Sequence, residues 1–476
     1  MTTHAPHIRH AEIPSDINLP ADARPEDRPS PRRQRPQRAG RTVPIGLIVA
    51  GSLTLGLLAA LVLVLGPLGG APEDVISGTA LLAFAGGWAL LAALSACWTR
   101  QPQRWAAVPA GLLALLGAGL LIVAPPSAVL DALGWVWPLG LLALAVWMTV
   151  QARRHLRSRT RPWLLYPLCG VLILAAVGGG YETVSEAIDQ GARAMPGQLI
   201  DVGGHRLHIT CTGTGSPTVV LEPGAGEPAA AMAWITPAVA RTTRVCGYDR
   251  AGRGWSEAVA GPQDGIAVAT DLHTLLARAH VPGPYVLAGH SFGGLYVLNF
   301  AARYPDQVAG MVLLDATSPQ QFTLSSYPTI SDLYRRVSAV FPSLARFGVG
   351  RLAYGSAFAE LPPQARDEER AFWATAGLAR SAHDEWVAAP TAMRQAQALK
   401  SLGAKPLIVL TALRDAQAGW LPLQNALARL STNSRHRVLP QVTHAMLTED
   451  KGGAAASSQA IRDVVTAVRA ATLLTH

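Results

Sequence analysis

The sequence predicts an all-α membrane region of about five helices, followed by an α/β domain on a mostly parallel sheet. The first observation is composition: half of the 476 residues are hydrophobic and only 15% are charged, against about a quarter charged in soluble globular proteins. The second is a series of apolar stretches between residues 43 and 180. The third is a set of short β-branched runs that alternate with helical segments from about residue 198.

The net charge of +9 is unevenly distributed along the chain. Residues 1–180 contain 15 Arg and 8 acidic residues, a balance of +7, whereas residues 181–476 contain 25 Lys and Arg against 23 acidic residues, a balance of +2. The basic excess therefore lies in the apolar half, and no aromatic-interleaved basic patch accompanies it. We expect a lipid bilayer as a partner and no nucleic acid.

Residues 1–42 are rich in Pro, Arg and acidic residues, and such a segment buries too little apolar surface to offset the entropy of ordering. We predict a disordered tail there. A helix needs about 20 residues to cross a bilayer core of about 30 Å, and a cleaved signal peptide is not followed by several further apolar stretches. The stretches that predict a multi-pass region over 43–180 are 43–66, 76–98, 105–124, 127–150 and 163–180.

The arginines predict the orientation of these helices. With five spans, the arginines of residues 1–180 all lie on one side: eight in the tail, two at 99–104 and five at 151–162. The alternate loops near 67–75 and 125–127 contain no Lys or Arg. The positive-inside rule then predicts a cytoplasmic N-terminus. The rest of the chain, after an amphipathic connector at 181–197, is expected on the extracytoplasmic side of a cell membrane.

Eight strand candidates follow residue 197. The first two have no helix between them, which predicts an antiparallel edge hairpin, and the others alternate with helical segments, as in a parallel sheet. About 90 residues separate the sixth candidate from the seventh, and we interpret residues 318–403 as an inserted cap. In chain order the candidates are QLIDV, RLHITCT, PTVVLE, TRVCGYD, YVLAGH, GMVLLDA, PLIVLTA and HRVLPQ.

The fifth strand candidate runs into Gly289-His290-Ser291-Phe292-Gly293, a G-x-S-x-G sequence followed by a helical segment. On a sharp strand-to-helix turn, glycines leave room for the neighbouring chain and the serine hydroxyl is exposed. The start of the following helix also favours developing negative charge. Ser291 is therefore the predicted nucleophile, and a glycine turn without catalysis is the alternative.

Residues 198–476 resemble the α/β-hydrolase family, in its serine-nucleophile branch. The resemblance implies an eight-stranded, mostly parallel sheet with a helical cap between the sixth and seventh strands, and it does not cover the membrane region. The matching segments are LEPGAGEP after the third strand candidate, YDRAGRGWSE after the fourth, GPYVLAGHSFGG at the turn and VAGMVLLDATSP after it.

In this family the triad runs nucleophile, acid, histidine along the chain. The resemblance assigns the acid to Asp415, which follows the seventh strand candidate, and the histidine to His444, which follows the last one. His444 would accept the serine proton, and the carboxylate would orient its ring. Asp315, at the end of the sixth strand candidate, is the alternative acid, because some members of the family use that position.

The family pattern also implies an oxyanion hole made of the backbone amides of Phe292 and Ala225. The sequence departs from the family here, since it has Pro223-Gly224-Ala225-Gly226 in place of the common His-Gly. The backbone still supplies a donor in that turn. No metal and no organic cofactor is implied.

The strand order that the resemblance implies makes the second and fourth strands neighbours in the sheet. These strands contain Cys211 and Cys246, and a disulfide between them would persist in an extracytoplasmic compartment. Strand register decides whether the two side chains face each other. We expect a Cys211–Cys246 disulfide, with two buried thiols as the alternative.

Together these features predict a membrane-anchored serine hydrolase that acts on a small-molecule ester or acyl substrate. Ser291 excludes the carboxylate nucleophile of related dehalogenases and epoxide hydrolases. An acyltransferase or a peptidase could use the same triad on lipid or cell-wall material. A non-catalytic membrane sensor with a hydrolase-like domain is the alternative of another class. The acidic cap residues that would serve a peptidase are Glu360, Asp367, Glu368 and Glu369.

Overall fold

The structure, a computed structural model, describes residues 43–156 and 165–474. The predicted disordered tail at 1–42 lies outside the described residues, as do Arg157, Arg159 and Arg161 of the basic loop. The first helices of the described chain are α1 (Ile45–Leu65), α2 (Glu73–Trp98), α3 (Ala107–Val123), α4 (Ser127–Leu133), α5 (Trp137–His155) and α6 (Tyr166–Ala192).

Four helical segments in the described ranges are long and apolar enough to cross a membrane, and the bent pair α4 and α5 makes a fifth if it counts as one span. The expectation of about five apolar helices is confirmed. The stretch predicted as a single helix at 127–150 is instead bent by 50°. The bend falls at Gly134–Val136, just before α5 begins at Trp137 with Pro138 as its second residue. Proline favours the first turn of a new helix over a helix interior.

The segment 181–197, predicted as a connector, belongs mostly to α6. This helix continues through Ala192 before the chain enters the first strand. Residues 181–192 contain no proline, and Val184 and Ile188 lie one turn apart, so nothing stops the helix at the edge of its apolar part. The last of the apolar helices therefore leads directly into the α/β domain.

All eight predicted strands are present and form one sheet in the order β1-β2-β4-β3-β5-β6-β7-β8. The pairs β1–β2 and β2–β4 are antiparallel, and every other pair is parallel. This confirms the mostly parallel sheet with an antiparallel edge. The strands are β1 (Gln198–Asp201), β2 (Arg206–Thr212), β3 (Val219–Glu222), β4 (Val245–Tyr248), β5 (Tyr285–His290), β6 (Val308–Leu314), β7 (Leu407–Ala412) and β8 (Ser434–Leu439).

Helices cover both faces of the sheet, which explains why the central strands are buried along their whole length. On β3, Val220 packs into the cluster that contains α8 and α9, whereas Val219 and Leu221 pack into the cluster that contains α7 and α16. The helices around the sheet are α7 (Ile235–Ala240), α8 (Gly265–Arg278), α9 (Phe292–Arg303), α15 (Trp420–Ala428) and α16 (Lys451–Ala470).

Five helices lie between β6 and β7, within the range predicted for the cap. The cap contacts the ends of the preceding apolar helices through ion pairs: Arg346 of α11 is 2.6 Å from Glu73 at the start of α2 and 2.9 Å from Asp131 on α4. The cap helices are α10 (Tyr327–Ser338), α11 (Phe341–Arg346), α12 (Val349–Tyr354), α13 (Pro363–Trp373) and α14 (Ala376–Ala396).

Cys211 on β2 lies directly opposite Cys246 on β4, and a disulfide joins them. The register that the sequence left open is therefore the one that brings the two side chains together. The bond connects the antiparallel edge of the sheet to its parallel part. The free cysteines of the described residues are Cys97 in α2 and Cys169 in α6.

Candidate active site

Ser291 occupies the sharp turn between β5 and α9. Its backbone has φ 53° and ψ −122°, a region that non-glycine residues rarely adopt and that costs about 1–3 kcal/mol. Three backbone hydrogen bonds hold the turn. Ser291 donates its amide to Leu314 at 3.1 Å, and its carbonyl accepts from Thr317 at 2.9 Å and from Gly294 at 3.0 Å. The fold thus maintains a strained serine at the carboxyl end of the sheet.

Close approach of the backbone explains the two glycines of the motif. A Cβ on Gly289 would lie 2.5 Å from the carbonyl oxygen of Gly293, and a Cβ on Gly293 would lie 2.1 Å from that of Glu222. No side chain fits at such distances. The G-x-S-x-G pattern is therefore a packing requirement of this turn, as the sequence predicted.

His444 follows β8, and its ring is fixed by a buried carboxylate. Nδ1 of His444 lies 2.6 Å from Oδ2 of Asp315, which directly follows β6. The other oxygen of Asp315 accepts hydrogen bonds from the Trp420 indole at 2.7 Å and from the Ala412 amide at 3.2 Å. With Nδ1 so engaged, Nε2 of His444 is the nitrogen left for proton transfer.

The structure reverses the predicted order of the two acids. Asp415, predicted to orient the imidazole, is exposed and accepts a hydrogen bond from the backbone amide of His444 at 3.0 Å. Its carboxylate therefore holds the loop, and Asp315 holds the ring. A buried carboxylate with fixed donors can maintain one tautomer of a histidine better than an exposed side chain can.

The turn after β3 presents backbone amides towards the same end of the sheet. Gly224 donates to Glu227 at 2.7 Å, and Gly226 donates to Glu385 of cap helix α14 at 2.8 Å. Among the described residues, the amides of Ala225 and Phe292 donate to no protein acceptor. These are the two donors that the family resemblance implies for an oxyanion hole.

A buried arginine supports the turn after β3. Arg250 donates to the carbonyl of Pro223 at 2.8 Å and pairs with Glu222 at 2.6 Å. It also pairs with Glu385 at 3.3 Å. The carboxylate that accepts the hydrogen bond of the Gly226 amide is therefore fixed by an ion pair. Sequence reasoning did not identify Arg250, Glu385 or Trp420 as supporting residues, because their partners are distant in the chain.

Negative charge surrounds His444. Burial alone would lower its pKa, but the hydrogen bond and charge of Asp315, together with the charges of Glu227 and Asp415, raise the pKa above its ordinary value. Burial tends to raise the pKa of Glu227, yet His290 and the Gly224 amide outweigh it and lower that pKa. Glu227 therefore contributes a negative charge near the imidazole at neutral pH.

His290 lies between these groups. Its ring is 4.5 Å from that of His444, its Nε2 is 3.2 Å from the His444 carbonyl oxygen, and its Nδ1 is 3.6 Å from Glu227. The residue before the nucleophile thus packs against the histidine loop. Glu449 also faces the site, and burial raises its pKa to about 7.

Two of the acidic cap residues considered for a peptidase are engaged within the protein. Glu368 accepts a hydrogen bond from Trp255 at 2.8 Å, and Glu369 accepts one from Trp373 at 3.0 Å. Burial and the charge of Glu227 raise the pKa of Glu369 well above its usual range. Within residues 43–156 and 165–474, no group of three His, Cys, Asp or Glu side chains could hold a metal ion.

Comparison with known proteins identifies the fold of the C-terminal domain. Residues 217–447 match the family model for the α/β hydrolase fold. An esterase of Thermogutta terrifontis aligns with 57% of this chain and 99% of its own, at 23% identity and a TM-score of 0.46.

Two curated relatives contain matching segments. An uncharacterized protein of Schizosaccharomyces pombe is 29% identical over 299 residues, which are 55% of this chain and 55% of the relative. An uncharacterized vacuolar membrane protein of Saccharomyces cerevisiae is 29% identical over 130 residues, 24% of this chain and 20% of the relative. The chain spans about half the length of the first relative and about a fifth of the second.

Proposed function

Because the C-terminal domain of this chain belongs to the α/β hydrolase family, we propose that the protein is a membrane-anchored serine hydrolase that cleaves carboxylic esters. The observation that carries the proposal is the strained Ser291 turn, combined with a histidine whose Nδ1 is bonded to buried Asp315. A structural turn needs neither an oriented histidine nor free amides beside it.

In the acylation half-reaction, Oγ of Ser291 attacks the ester carbonyl carbon as its proton moves to Nε2 of His444. The carbonyl oxygen becomes an oxyanion that the amides of Ala225 and Phe292 stabilise. Loss of one such donor costs about 2.7–4 kcal/mol in known cases. The tetrahedral intermediate then collapses, the carbon–oxygen bond of the ester breaks, and the leaving alkoxide takes the proton from His444.

In the deacylation half-reaction, water attacks the acyl-enzyme and gives a proton to His444. Collapse of the second tetrahedral intermediate returns that proton to Oγ of Ser291 and releases the carboxylic acid. Asp315 keeps the ring in one tautomer and stabilises the imidazolium in both half-reactions.

We further propose that the hydrolase domain lies on the extracytoplasmic side of a cell membrane. Glu73 and Asp131 lie at the helix ends that contact the cap. At the opposite ends of these helices, Arg100 follows α2 and Arg153 lies in the last turn of α5. At that end the amide of Val43 donates to the carbonyl of Trp98, and the side chain of Gln103 donates to the carbonyl of His155. The positive-inside rule then favours a cytoplasmic location for the arginine end. The similarity to a vacuolar membrane protein also supports a membrane location.

The experiment is ester hydrolysis by the full-length, detergent-solubilised protein. We expect turnover of p-nitrophenyl esters and a loss of several orders of magnitude in Ser291→Ala. Addition of a primary alcohol tests the acyltransferase alternative, because the same acyl-enzyme would then form a new ester. Absence of turnover on a panel of acyl chain lengths would leave the non-catalytic sensor as the better account.

A further inference from the structure

Three consecutive cap helices expose an unusual amount of apolar surface. Single exposed hydrophobic residues are normal, whereas a contiguous group on neighbouring helices marks a contact surface. We call this group on α10–α12 the apolar cap face. Its members include Ile330, Leu333, Tyr334, Phe341, Leu344 and Leu352.

The apolar cap face is continuous with the ends of the membrane helices. Arg336 of α10 donates to the carbonyl of Leu65 at 3.1 Å, at the end of α1. Ser343 of α11 is hydrogen-bonded at 2.7 Å to Ser77 in the first turns of α2. Because these helix ends define the edge of the hydrocarbon layer, the apolar cap face lies at the level of the lipid headgroups.

The catalytic centre is close to this level as well. On α14, Arg380 pairs with Glu73 of α2 at 2.6 Å, and Glu385 accepts from the Gly226 amide at 2.8 Å. Arg380 and Glu385 are five positions apart, which is about 7.5 Å of helical rise. One and a half turns of α14 thus connect the start of a membrane helix to the turn that carries the Ala225 amide.

Aromatic rings in contact, one pair tilted and one pair stacked, connect the nucleophile turn to the apolar cap face. Phe292, next to Ser291, lies 5.1 Å from the ring of Trp386 on α14, and Trp386 lies 5.1 Å from the ring of Tyr334 on α10. Tyr334 is 51% exposed. The three rings, which we call the aromatic wall, form a continuous series from the residue next to Ser291 to the apolar cap face.

We propose that the substrate is a bilayer-embedded lipid ester, which enters from the outer leaflet across the apolar cap face and lays its acyl chain along Phe292, Trp386 and Tyr334. The inference rests on the proposed function and adds the substrate class to it. An amphipathic helix with arginines beside an apolar face is suited to the membrane interface. On α10, Arg335 and Arg336 share the one carboxylate of Asp332, which leaves a net positive charge beside the apolar cap face. The ester bond is cleaved through the acyl-enzyme described above, with water as the second substrate.

The test uses the full chain in phosphatidylcholine vesicles and two fluorogenic probes. One is 4-methylumbelliferyl palmitate in the bilayer, and the other is water-soluble 4-methylumbelliferyl acetate. The measured quantity is the ratio of the palmitate rate to the acetate rate. Leu333→Asp and Leu352→Asp, at residues 57% and 85% exposed, are each expected to lower this ratio about tenfold, because a charge disfavours the apolar contact with lipid.

The matched control is Ile266→Asp on α8, a residue 43% exposed on a helix that packs against the sheet and not on the membrane helices. Its ratio should equal that of the wild type. An unchanged ratio in both cap variants would overturn the inference, as would an equal decrease in the control. Ser291-dependent acetate hydrolysis with an unaffected ratio would leave the proposed function intact. Hydrolysis of neither probe would overturn both proposals.

The aromatic wall has its own variant. Tyr334→Ala should raise KM for the palmitate ester at least severalfold relative to the acetate ester, because only the long acyl chain reaches that ring. An equal change for both esters would show that Tyr334 supports the fold and does not contact the acyl chain.

Discussion

The imidazole of His444 is bonded to Asp315, with 2.6 Å between Nδ1 and Oδ2, whereas Asp415 reaches only the backbone amide of the same histidine. The two carboxylates thus divide two tasks that a single triad acid is often assumed to perform. One fixes the ring and its tautomer, and the other fixes the loop that carries the ring. The difference leads directly to a test.

Asp315→Asn should lower kcat for ester hydrolysis by about 10⁴-fold, because an amide at this position favours the wrong tautomer of the histidine. Asp415→Asn removes one exposed charge-assisted bond to a backbone amide, and we expect a loss of about tenfold or less. Steady-state kinetics on p-nitrophenyl butyrate measure both. If Asp415→Asn is the more damaging change, the catalytic acid is the one that the sequence favoured.

The pH profile should report the raised pKa of His444. The neutral ring is the active base, so kcat/KM falls as the pH decreases through this pKa, and its acid limb should lie above the ordinary histidine value of about 6.5. Glu227→Gln removes a negative charge that raises the pKa, so the acid limb should move to lower pH. Asp315, Asp415 and partly ionised Glu449 remain in both proteins.

Glu257→Gln is the control for this shift, because Glu257 pairs with Arg206 at the exposed edge of the sheet. Its profile should match that of the wild type. An acid limb that stays in place in Glu227→Gln would mean that the charge of Glu227 does not act on the catalytic base.

The orientation of the membrane helices is testable by fusion. Alkaline phosphatase folds to an active form only where its disulfides persist, outside the cytoplasm. A fusion after residue 195, beyond α6, should therefore be active, and a fusion after residue 156, beyond α5, should be inactive. The opposite pattern would contradict the assignment of the arginine end to the cytoplasm.

The Cys211–Cys246 bond closes a loop with a sequence separation of 35, which by chain entropy contributes about 3–4 kcal/mol. The double variant Cys211→Ser/Cys246→Ser should lose activity at a markedly lower temperature than the wild type. Alkylation of the denatured, unreduced protein should label only Cys97 and Cys169. Labelling at Cys211 and Cys246 would refute the disulfide.

The sheet could be predicted in full because each strand leaves a local signal. A central strand such as β7 is an unbroken apolar run, and the antiparallel edge follows from two strands with no helix between them. The nucleophile is likewise local, since the strain at Ser291 requires the glycines of its own turn. Five neighbouring residues are enough to identify it.

The acid could not be assigned in the same way. Asp315 and Asp415 both follow parallel strands, β6 and β7, so both carboxylates are at the carboxyl ends of the strands. Which one reaches His444 depends on donors such as Trp420, whose indole holds Asp315. Such contacts are tertiary, and no spacing in the sequence records them.

The helix boundaries of the membrane region show a similar limit. Hydropathy marks where apolar residues end, but α6 continues to Ala192 because a helix ends where its hydrogen bonds end. The bend between α4 and α5 also lies inside a continuous apolar stretch. Hydropathy therefore locates the membrane region better than it locates its helices.

The most direct test of the account is fluorophosphonate labelling of the full-length protein, followed by peptide mass analysis. An activated serine attacks phosphorus and releases fluoride, whereas an ordinary serine does not react. We predict one adduct, on the peptide that contains Ser291, with none in Ser291→Ala and labelling slowed by orders of magnitude in His444→Ala. An unlabelled wild-type protein, or an adduct that persists in Ser291→Ala, would contradict the assignment of Ser291 as a nucleophile activated by His444 and Asp315.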